Sequence, residues 1–353
     1  MKRKIFALFF SLLIVTTLPI RSLAEGFEYT FVRGESYCES IIMLNTDTDT
    51  IVYSQNPDIQ RPMASLTKIM SYIVAVESIS DLNNTRVTVP QRVADELNDT
   101  GSSLAGVKVG EEFTAFELLH LMMIPSGNDA SATLAAYVDS LNITVGSLQD
   151  NDVAAKDTGR SDTAASQAVP QEDHNRVLTF VDLMNRKALE LGCTNTHFVN
   201  SHGLHDDNHY SSARDMLTIT KYAMTMPHFA EITCKTYYEP PVTALTQNPT
   251  TLYNSNLMIQ KSHPDFYYTP ATGIKTGSHD QAGYCLAASA TQDYSYILIV
   301  MGSPYIDGNG KRINFHGEMV DARELFSWAF NDLKVKTIAE NGTLLGDVSL
   351  NYT

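Results

Sequence analysis

Two pairs of short apolar strands, one near each end of the chain, constrain the fold most strongly. Residues 40–44 and 50–53 are apolar, β-branched runs joined by a polar turn, a pattern typical of a β-hairpin. Ala282–Thr291 and Tyr294–Gly302 are separated only by Gln292-Asp293 and predict a second hairpin. The segments between them have helical periodicity. We therefore predict an α+β fold, with an antiparallel sheet flanked by helices and a helical subdomain.

The boundaries of the intervening helices follow from capping and turn residues. The predicted helices span residues 65–79, 114–123, 129–139, 177–191 and 320–333. Residues 143–175 differ, because they are rich in Asp, Ser, Thr, Ala and Gln, contain no aromatic residue and show no period. We predict a disordered insertion there, within one domain covering residues 25–334.

The first 24 residues have the organisation of a secretory signal peptide. Lys2, Arg3 and Lys4 precede a short apolar run, and the segment ends with small residues at Ala24. A membrane anchor is the alternative, but the apolar run is shorter than the roughly 20 residues that span a bilayer. We therefore predict export to the cell wall, the periplasm or the medium. The net charge of −15 argues against a nucleic-acid partner.

Export would permit disulfide bonds, and the chain contains four cysteines. They are Cys38, Cys193, Cys234 and Cys285, which are far apart in sequence. No CxxC or Cys/His spacing indicates structural zinc. Bonded pairs and buried free thiols both remain open.

The segment Ser65-Leu66-Thr67-Lys68 begins the first long apolar helix. Residues three apart lie on one helical face, so the Ser65 hydroxyl and the Lys68 amine can touch. A serine needs an adjacent base to become a nucleophile, and a desolvated lysine can serve. A capping serine and a solvated lysine would give the same four letters, so this motif alone is weak evidence.

Two further short motifs occur downstream. Ser126-Gly127-Asn128 lies in the break between two predicted helices, where such residues also form ordinary turns. Lys275-Thr276-Gly277 precedes the closing hairpin, where it could bind a carboxylate or simply be an exposed strand edge. The combination SxxK, SxN and KTG in this order is the pattern of penicillin-binding proteins and class A β-lactamases.

With these motifs, the chain resembles the low-molecular-mass penicillin-binding proteins that are D-alanyl-D-alanine carboxypeptidases, over about residues 35–335 apart from the insertion. The resemblance rests on Arg61–Met70, Ile124–Ala130, Asn200–Leu204, Tyr210–Met216, Gly273–Gly277 and Ala282–Tyr284.

This resemblance implies a serine peptidase that removes the terminal D-alanine from peptidoglycan stem peptides and is acylated by β-lactams. Ser65 would be the nucleophile, Lys68 the general base, and Ser126 would help pass the proton to the leaving amine. The backbone N–H groups of Ser65 and Ser278 would form the oxyanion hole. No metal or cofactor is implied.

The resemblance also implies a substrate-binding set. Asn128 would hydrogen-bond the substrate, and Lys275, Thr276 and Gly277 would hold its terminal carboxylate. His202 matches a loop residue near the site. Many members of the family have histidine where this chain has Ser278, which bears on the rate rather than on the fold of the site.

Three alternatives remain. A class A β-lactamase would need a deacylating Glu with Asn four residues later, whereas Glu172 and Asn175 have the wrong spacing, and Gly127 replaces the usual Asp. The second alternative is a weakly catalytic protein that only binds penicillin or stem peptides. An endopeptidase would apply the same chemistry to cross-links.

The C-terminus departs from the family pattern. Residues 335–353 resemble only the start of a truncated β-rich domain, and no basic amphipathic helix follows them in this chain. We expect no membrane anchor in this chain.

Overall fold

A computed structural model describes residues 29–148 and 175–334 of the protein. The predicted signal peptide, residues 149–174 of the predicted insertion and residues 335–353 lie outside the described residues. The strands are β1 (Ser40–Asn45), β2 (Thr50–Gln55), β3 (Arg86–Thr88), β4 (Glu112–Thr114), β5 (Tyr237–Tyr238), β6 (Leu252–Tyr253), β7 (Ala271–His279), β8 (Gly283–Thr291) and β9 (Ser295–Ser303). The helices are α1 (Thr67–Ser78), α2 (Gln91–Leu97), α3 (Ala115–Met123), α4 (Asn128–Ser140), α5 (Phe180–Glu190), α6 (Ala213–Ala223), α7 (Phe229–Thr233) and α8 (Gly317–Asp332), with 3-10 turns at Ala64–Leu66 and Leu257–Ile259.

Both predicted hairpins, β1-β2 and β8-β9, form. Together with β7 they make one five-stranded antiparallel sheet of order β2-β1-β9-β8-β7. The first strand pairs with the last, with Ile41 opposite Val300. The α+β prediction is confirmed. The strand β7 is at one edge of this sheet, where its outer side is free to face the helices and the cleft.

The two faces of the sheet are buried in two separate apolar cores. Because side chains alternate along a strand, Ile42 and Leu44 pack with the helical layer, whereas Ile41 and Met43 pack with α8. The second core includes Phe326 and Trp328. Near-continuous apolar strands are therefore explained by burial on both faces.

The helix α1 lies at the centre of the helical layer. Every residue from Thr67 to Ala75 is buried, so the helix has no solvated face in that stretch. The helices α3, α4, α5 and α6 pack against it, and α3 begins with a capping box formed by Thr114 and Glu117. Lys68, in the first turn of α1, is therefore held inside the protein.

The structure corrects the predicted start of the insertion. Residues 143–148 belong to the folded domain, since Val145 is 1% exposed and its N–H donates to the Arg176 carbonyl. Thr144 also forms a bridge with Val177. Ile143, Val145 and Leu148 pack on the core, and an argument from the composition of the whole segment misses these three apolar residues.

The four cysteines are free thiols. Cys38, Cys193 and Cys285 are buried, whereas Cys234 is exposed. The sequence left open bonded pairs and four buried free thiols. The structure shows four free thiols, of which three are buried.

Truncating a side chain between α8 and the sheet tests how far the second core stabilises the domain. Phe326 is fully buried, so Phe326→Ala should lower the free energy of unfolding by about 3–5 kcal/mol. Phe315 is 42% exposed, so Phe315→Ala should change it by less than about 1 kcal/mol. Equilibrium denaturation in urea measures both, and equal losses would contradict the assignment of Phe326 to the core.

Candidate active site

The SxxK serine lies in the 3-10 turn that precedes α1. Ser65 is partly exposed while both neighbours are buried, and Ala64 adopts a left-handed backbone with φ of +47°. Two glycines allow other segments to approach this turn. A Cβ atom on Gly203 would lie 2.1 Å from the Ala64 oxygen, and one on Gly277 would lie 3.0 Å from the Ser65 nitrogen. The serine is thus exposed on a turn enclosed by two close backbone segments.

The amine of Lys68 is surrounded by three oxygen atoms. Its Nζ lies 2.9 Å from Ser65 Oγ, 2.6 Å from Asn128 Oδ1 and 2.7 Å from the His202 carbonyl oxygen. Lys68 is fully buried. These partners come from the 3-10 turn Ala64–Leu66 (called the nucleophile turn after the predicted role of Ser65), the start of α4 and the loop after α5. Three parts of the chain therefore meet at one nitrogen.

Burial lowers the pKa of Lys68 well below its usual value, and the nearby Lys275 lowers that pKa further, against an opposing effect of Asp129. A neutral amine has two N–H bonds and one lone pair. The amide oxygen of Asn128 and the carbonyl of His202 can only accept hydrogen bonds, so they take the two N–H donors. The lone pair then faces Ser65, as a general base requires.

The SxN segment forms the tight turn between α3 and α4. Ser126 is buried with φ of +67°, and Asn128 begins α4. A Cβ atom on Gly127 would lie within 2.8 Å of Ala105, the Leu121 carbonyl and the Asp129 carboxylate. A side chain at position 127 is therefore excluded by packing, which separates this turn from a class A β-lactamase turn carrying Asp.

A buried carboxylate next to this turn fixes the neighbouring backbone segment. Asp129 accepts hydrogen bonds from the backbone N–H groups of Ala105, Gly106 and Val107. The Asn128 N–H in turn donates to the Ser103 carbonyl. The segment 103–107 is thereby fixed over the SxN turn.

The KTG segment lies on β7, the edge strand. Lys275 is 1% exposed, its ammonium donates to the Thr276 carbonyl, and burial lowers its pKa to about 7. The Thr276 hydroxyl is hydrogen-bonded to Ser255, whose backbone N–H donates to the Ile124 carbonyl. Ser255 therefore links the KTG strand to the end of α3.

His202 lies beside Lys68 through its backbone rather than its ring. The imidazole is buried, its Nε2 lies 2.8 Å from Glu96, and its Nδ1 accepts from the Leu204 N–H. The ring therefore donates through Nε2 to Glu96 of α2. Its pKa is lowered by burial, with Glu96 opposing that effect and Lys68 adding to it.

The family model described as D-alanyl-D-alanine carboxypeptidase (Peptidase_S11) matches residues 30–142 and 160–304. These two ranges cover more than half of the chain and include all three motifs. The chain belongs to the D-alanyl-D-alanine carboxypeptidase family. The prediction made from the motifs is confirmed.

Curated carboxypeptidases resemble the chain over most of its length. The D-alanyl-D-alanine carboxypeptidase DacF of Bacillus subtilis is 28% identical over 304 residues, which are 86% of this chain and 67% of the relative. The D-alanyl-D-alanine carboxypeptidase of Streptomyces sp. K15 is 31% identical over 253 residues, covering 70% of this chain and 75% of the relative.

Solved structures of the family show the same fold. The Streptomyces K15 DD-transpeptidase superposes with a TM-score of 0.64 at 27% identity, covering 84% of this chain and 98% of that one. Penicillin binding protein 5 from Haemophilus influenzae gives a TM-score of 0.62 at 25% identity, covering 84% and 71%. Within the described part of the carboxypeptidase, no helix is long and apolar enough to cross a membrane.

The structure brings all nine predicted site residues to the region where the nucleophile turn, the SxN turn and β7 meet. They are Ser65, Lys68, Ser126, Asn128, His202, Lys275, Thr276, Gly277 and Ser278. Their individual roles in the carboxypeptidase remain predictions.

Sequence reasoning missed the groups that hold these residues. Asp129 and Gly203 lie inside the stretches Ile124–Ala130 and Asn200–Leu204 that carry the resemblance, so the sequence pointed to their neighbourhood but not to their contacts. Glu96 and Ser255 lie in segments with no motif, and only the fold brings them to the site.

Substituting Gly203 tests whether close approach to the nucleophile turn is needed. Gly203→Ala would place a methyl group 2.1 Å from the Ala64 oxygen, so we expect penicillin acylation of the carboxypeptidase to slow by about tenfold or more. Gly192→Ala is the matched control, because Gly192 also has positive φ but no atom within 4 Å of the added methyl group.

The control should lose about 1–2 kcal/mol of stability through its backbone alone, with unchanged acylation. Acylation rates from stopped-flow labelling, compared with unfolding free energies, separate the two effects. Equal acylation by both variants would show that the contact at Ala64 is irrelevant to the site.

Proposed function

We propose that this carboxypeptidase acts through Ser65, which attacks the carbonyl between the two terminal D-alanines of a peptidoglycan stem peptide. The observation that carries the proposal is the set of three oxygens around Lys68 Nζ, which leaves the lone pair of the neutral amine facing the Ser65 hydroxyl. Lys68 takes the proton of Ser65, and the acyl-enzyme ester forms as D-alanine leaves.

The tetrahedral intermediate carries an oxyanion. The backbone N–H groups of Ser65 and Ser278 stabilise it, since the close approach of Gly277 to the Ser65 nitrogen brings β7 next to the nucleophile turn. Ser126 passes the proton to the leaving amine, and its position two residues before Asn128, whose Oδ1 contacts Lys68 Nζ, supports this role. Water then hydrolyses the ester, with Lys68 again as the base.

The carboxylate of the terminal D-alanine binds at Lys275 and the Thr276 hydroxyl, with the backbone of Gly277 allowing close approach. Support comes from the buried Lys275 amine, whose hydrogen-bond partner among residues 29–148 and 175–334 is one backbone carbonyl, that of Thr276. A carboxylate placed there would hold Lys275 in its charged form and gain a charge-assisted hydrogen bond. Asn128 would orient the peptide while its Oδ1 accepts from Lys68. His202 contributes to the site through its carbonyl oxygen.

The protein acts outside the cytoplasm, where its substrate is. The basic and then apolar organisation of residues 1–24 supports export and cleavage after Ala24. β-Lactams acylate Ser65 because they resemble an acylated D-Ala-D-Ala end.

Removing the nucleophile or its base tests the proposed function directly. Ser65→Ala and Lys68→Ala should each lower D-alanine release from diacetyl-L-Lys-D-Ala-D-Ala by about 10⁴-fold or more, because the two groups act as one unit. Lys311→Ala removes an exposed ammonium group and should leave release unchanged.

Labelling with a fluorescent penicillin provides the second readout. Normal labelling of Lys68→Ala would refute its role as the base. Penicillin labelling of the wild type without any D-alanine release would instead identify a protein that binds and acylates but does not turn over this substrate.

The pH dependence of acylation tests the protonation state of Lys68. Only the neutral amine can accept the proton, so at saturating penicillin, where the bound carboxylate keeps Lys275 charged, the acylation rate constant should fall about tenfold per pH unit below the Lys68 pKa and be level above it. Because burial places that pKa well below 10.5, the plateau should be reached before strongly alkaline pH. A penicillin acylation rate that climbs steadily up to pH 10.5 would contradict a neutral lysine base.

A further inference from the structure

A chain of buried hydrogen bonds leads from a histidine outside the three motifs to the nucleophile turn. His209 Nε2 lies 2.7 Å from the Thr67 hydroxyl, and that hydroxyl donates to the Ala64 carbonyl oxygen over 2.7 Å. At the far side of the ring, the Val199 N–H donates to His209 Nδ1 over 3.0 Å. None of the roles proposed above uses these groups.

The directions of these hydrogen bonds are fixed by their donors. Because Nδ1 of His209 accepts from a backbone N–H, the neutral ring carries its proton on Nε2. That proton points to Thr67, whose single hydroxyl proton is used on Ala64. All donors in the chain therefore point towards the Ala64 carbonyl.

The Ala64 carbonyl and the Ser65 N–H belong to the same peptide group. In a planar trans peptide these two bonds point in opposite directions, so holding the oxygen on one side aims the N–H to the other. Ala64 is held at φ of +47°, a conformation that an alanine adopts only when its surroundings impose it. The hydroxyl of Thr67 is one such constraint.

The surroundings keep this chain intact over a wide range of pH. Thr67 is fully buried and His209 is 2% exposed. Burial, together with the nearby His202 and His279, lowers the pKa of His209 to about 3. At any pH well above 3 the ring therefore stays neutral, with its proton on Nε2.

We propose that His209 is a positioning residue for the oxyanion hole, acting through the Thr67 hydroxyl to fix the Ala64–Ser65 peptide so that the Ser65 N–H points at the developing oxyanion. The proposal rests on the function proposed above, in which that N–H is an oxyanion donor. It assigns to the inner Thr of Ser65-Leu66-Thr67-Lys68 a role in transition-state binding rather than in helix formation alone.

Two amide substitutions distinguish positioning from simple packing. In His209→Gln the side-chain N–H₂ can occupy the place of Nε2 and still donate to Thr67, whereas the shorter side chain of His209→Asn reaches only the place of Nδ1. Both variants lose the ring. If the ring only packs, they should lose activity equally; if it positions Thr67, the Asn variant should lose far more.

The expected result is a fall of about 10–100-fold in kcat for His209→Asn, somewhat below the effect of deleting an oxyanion donor, with KM within about twofold. His209→Gln should stay within about fivefold of the wild type. A peptide boronic acid ending in the D-alanine analogue forms a tetrahedral adduct with serine, so its affinity should fall in parallel with kcat.

A second pair keeps the test valid if the histidine variants fold poorly. Thr67→Ser preserves the hydroxyl and should behave as the wild type, whereas Thr67→Val preserves the shape but not the hydrogen bonds and should match His209→Asn. Combining Thr67→Val with His209→Asn should add little, because both interrupt the same chain. The control His197→Asn alters an exposed histidine of the same loop and should have no effect on kcat.

Several results would overturn the proposal. These are a kcat within about threefold of wild type for Thr67→Val, equal losses for the Gln and Asn variants, or a loss of kcat without a loss of boronate affinity. Thermal unfolding of each variant confirms that the protein is folded at the assay temperature. Failure of the proposed function itself is recognised separately, because Ser65→Ala would then release D-alanine as fast as the wild type.

Discussion

The burial of one amine nitrogen, Lys68 Nζ, depends on contacts from several parts of this domain. Lys68 Nζ contacts the nucleophile turn, the start of α4 and the loop after α5, and it lies near the buried lysine of β7. An ammonium group in such a place is unfavourable, so burial lowers the pKa of Lys68 and favours its neutral form. The helix α1 can supply this environment only because it is surrounded on all sides, which requires the complete helical layer and the sheet beneath it.

Around the reacting groups is a layer of residues that do no chemistry but fix the backbone. Asp129 holds the segment 103–107 over the SxN turn, Glu96 holds the ring of His202, and Thr67 holds the Ala64 carbonyl. Asp129, the His202 ring and Thr67 are buried and hydrogen-bonded to neighbours, so few alternative arrangements of similar energy remain. The precision of the site thus comes from ordinary hydrogen bonds, to main-chain atoms for Asp129 and Thr67 and to a partly exposed carboxylate for His202.

Local patterns in the sequence predicted the elements but not the contacts between them. The two hairpins, the helix breaks and the motif residues are encoded over a few neighbouring positions, and the structure has them where expected. The errors and omissions involve distant partners. Val145 looks like part of a polar insertion until the core it packs on is known, and Glu96 reaches His202 across 106 positions of sequence. Contacts of this kind leave no periodicity, and composition does not reveal them.

The pairing of the first strand with the last has a consequence for how this protein becomes active. The strand β1 finds its partner β9 only after some 250 intervening residues have been synthesised, as Ile41 lies opposite Val300. Closing a loop of that length costs conformational entropy before its contacts form, so we expect the sheet to be completed late in folding. Since β7 belongs to this sheet, a nascent or partly folded chain holds its serine and lysine without the strand that completes the cleft. Reactivity towards D-alanyl peptides and β-lactams should therefore arise with the last folding step, which makes labelling by penicillin a reporter of complete folding.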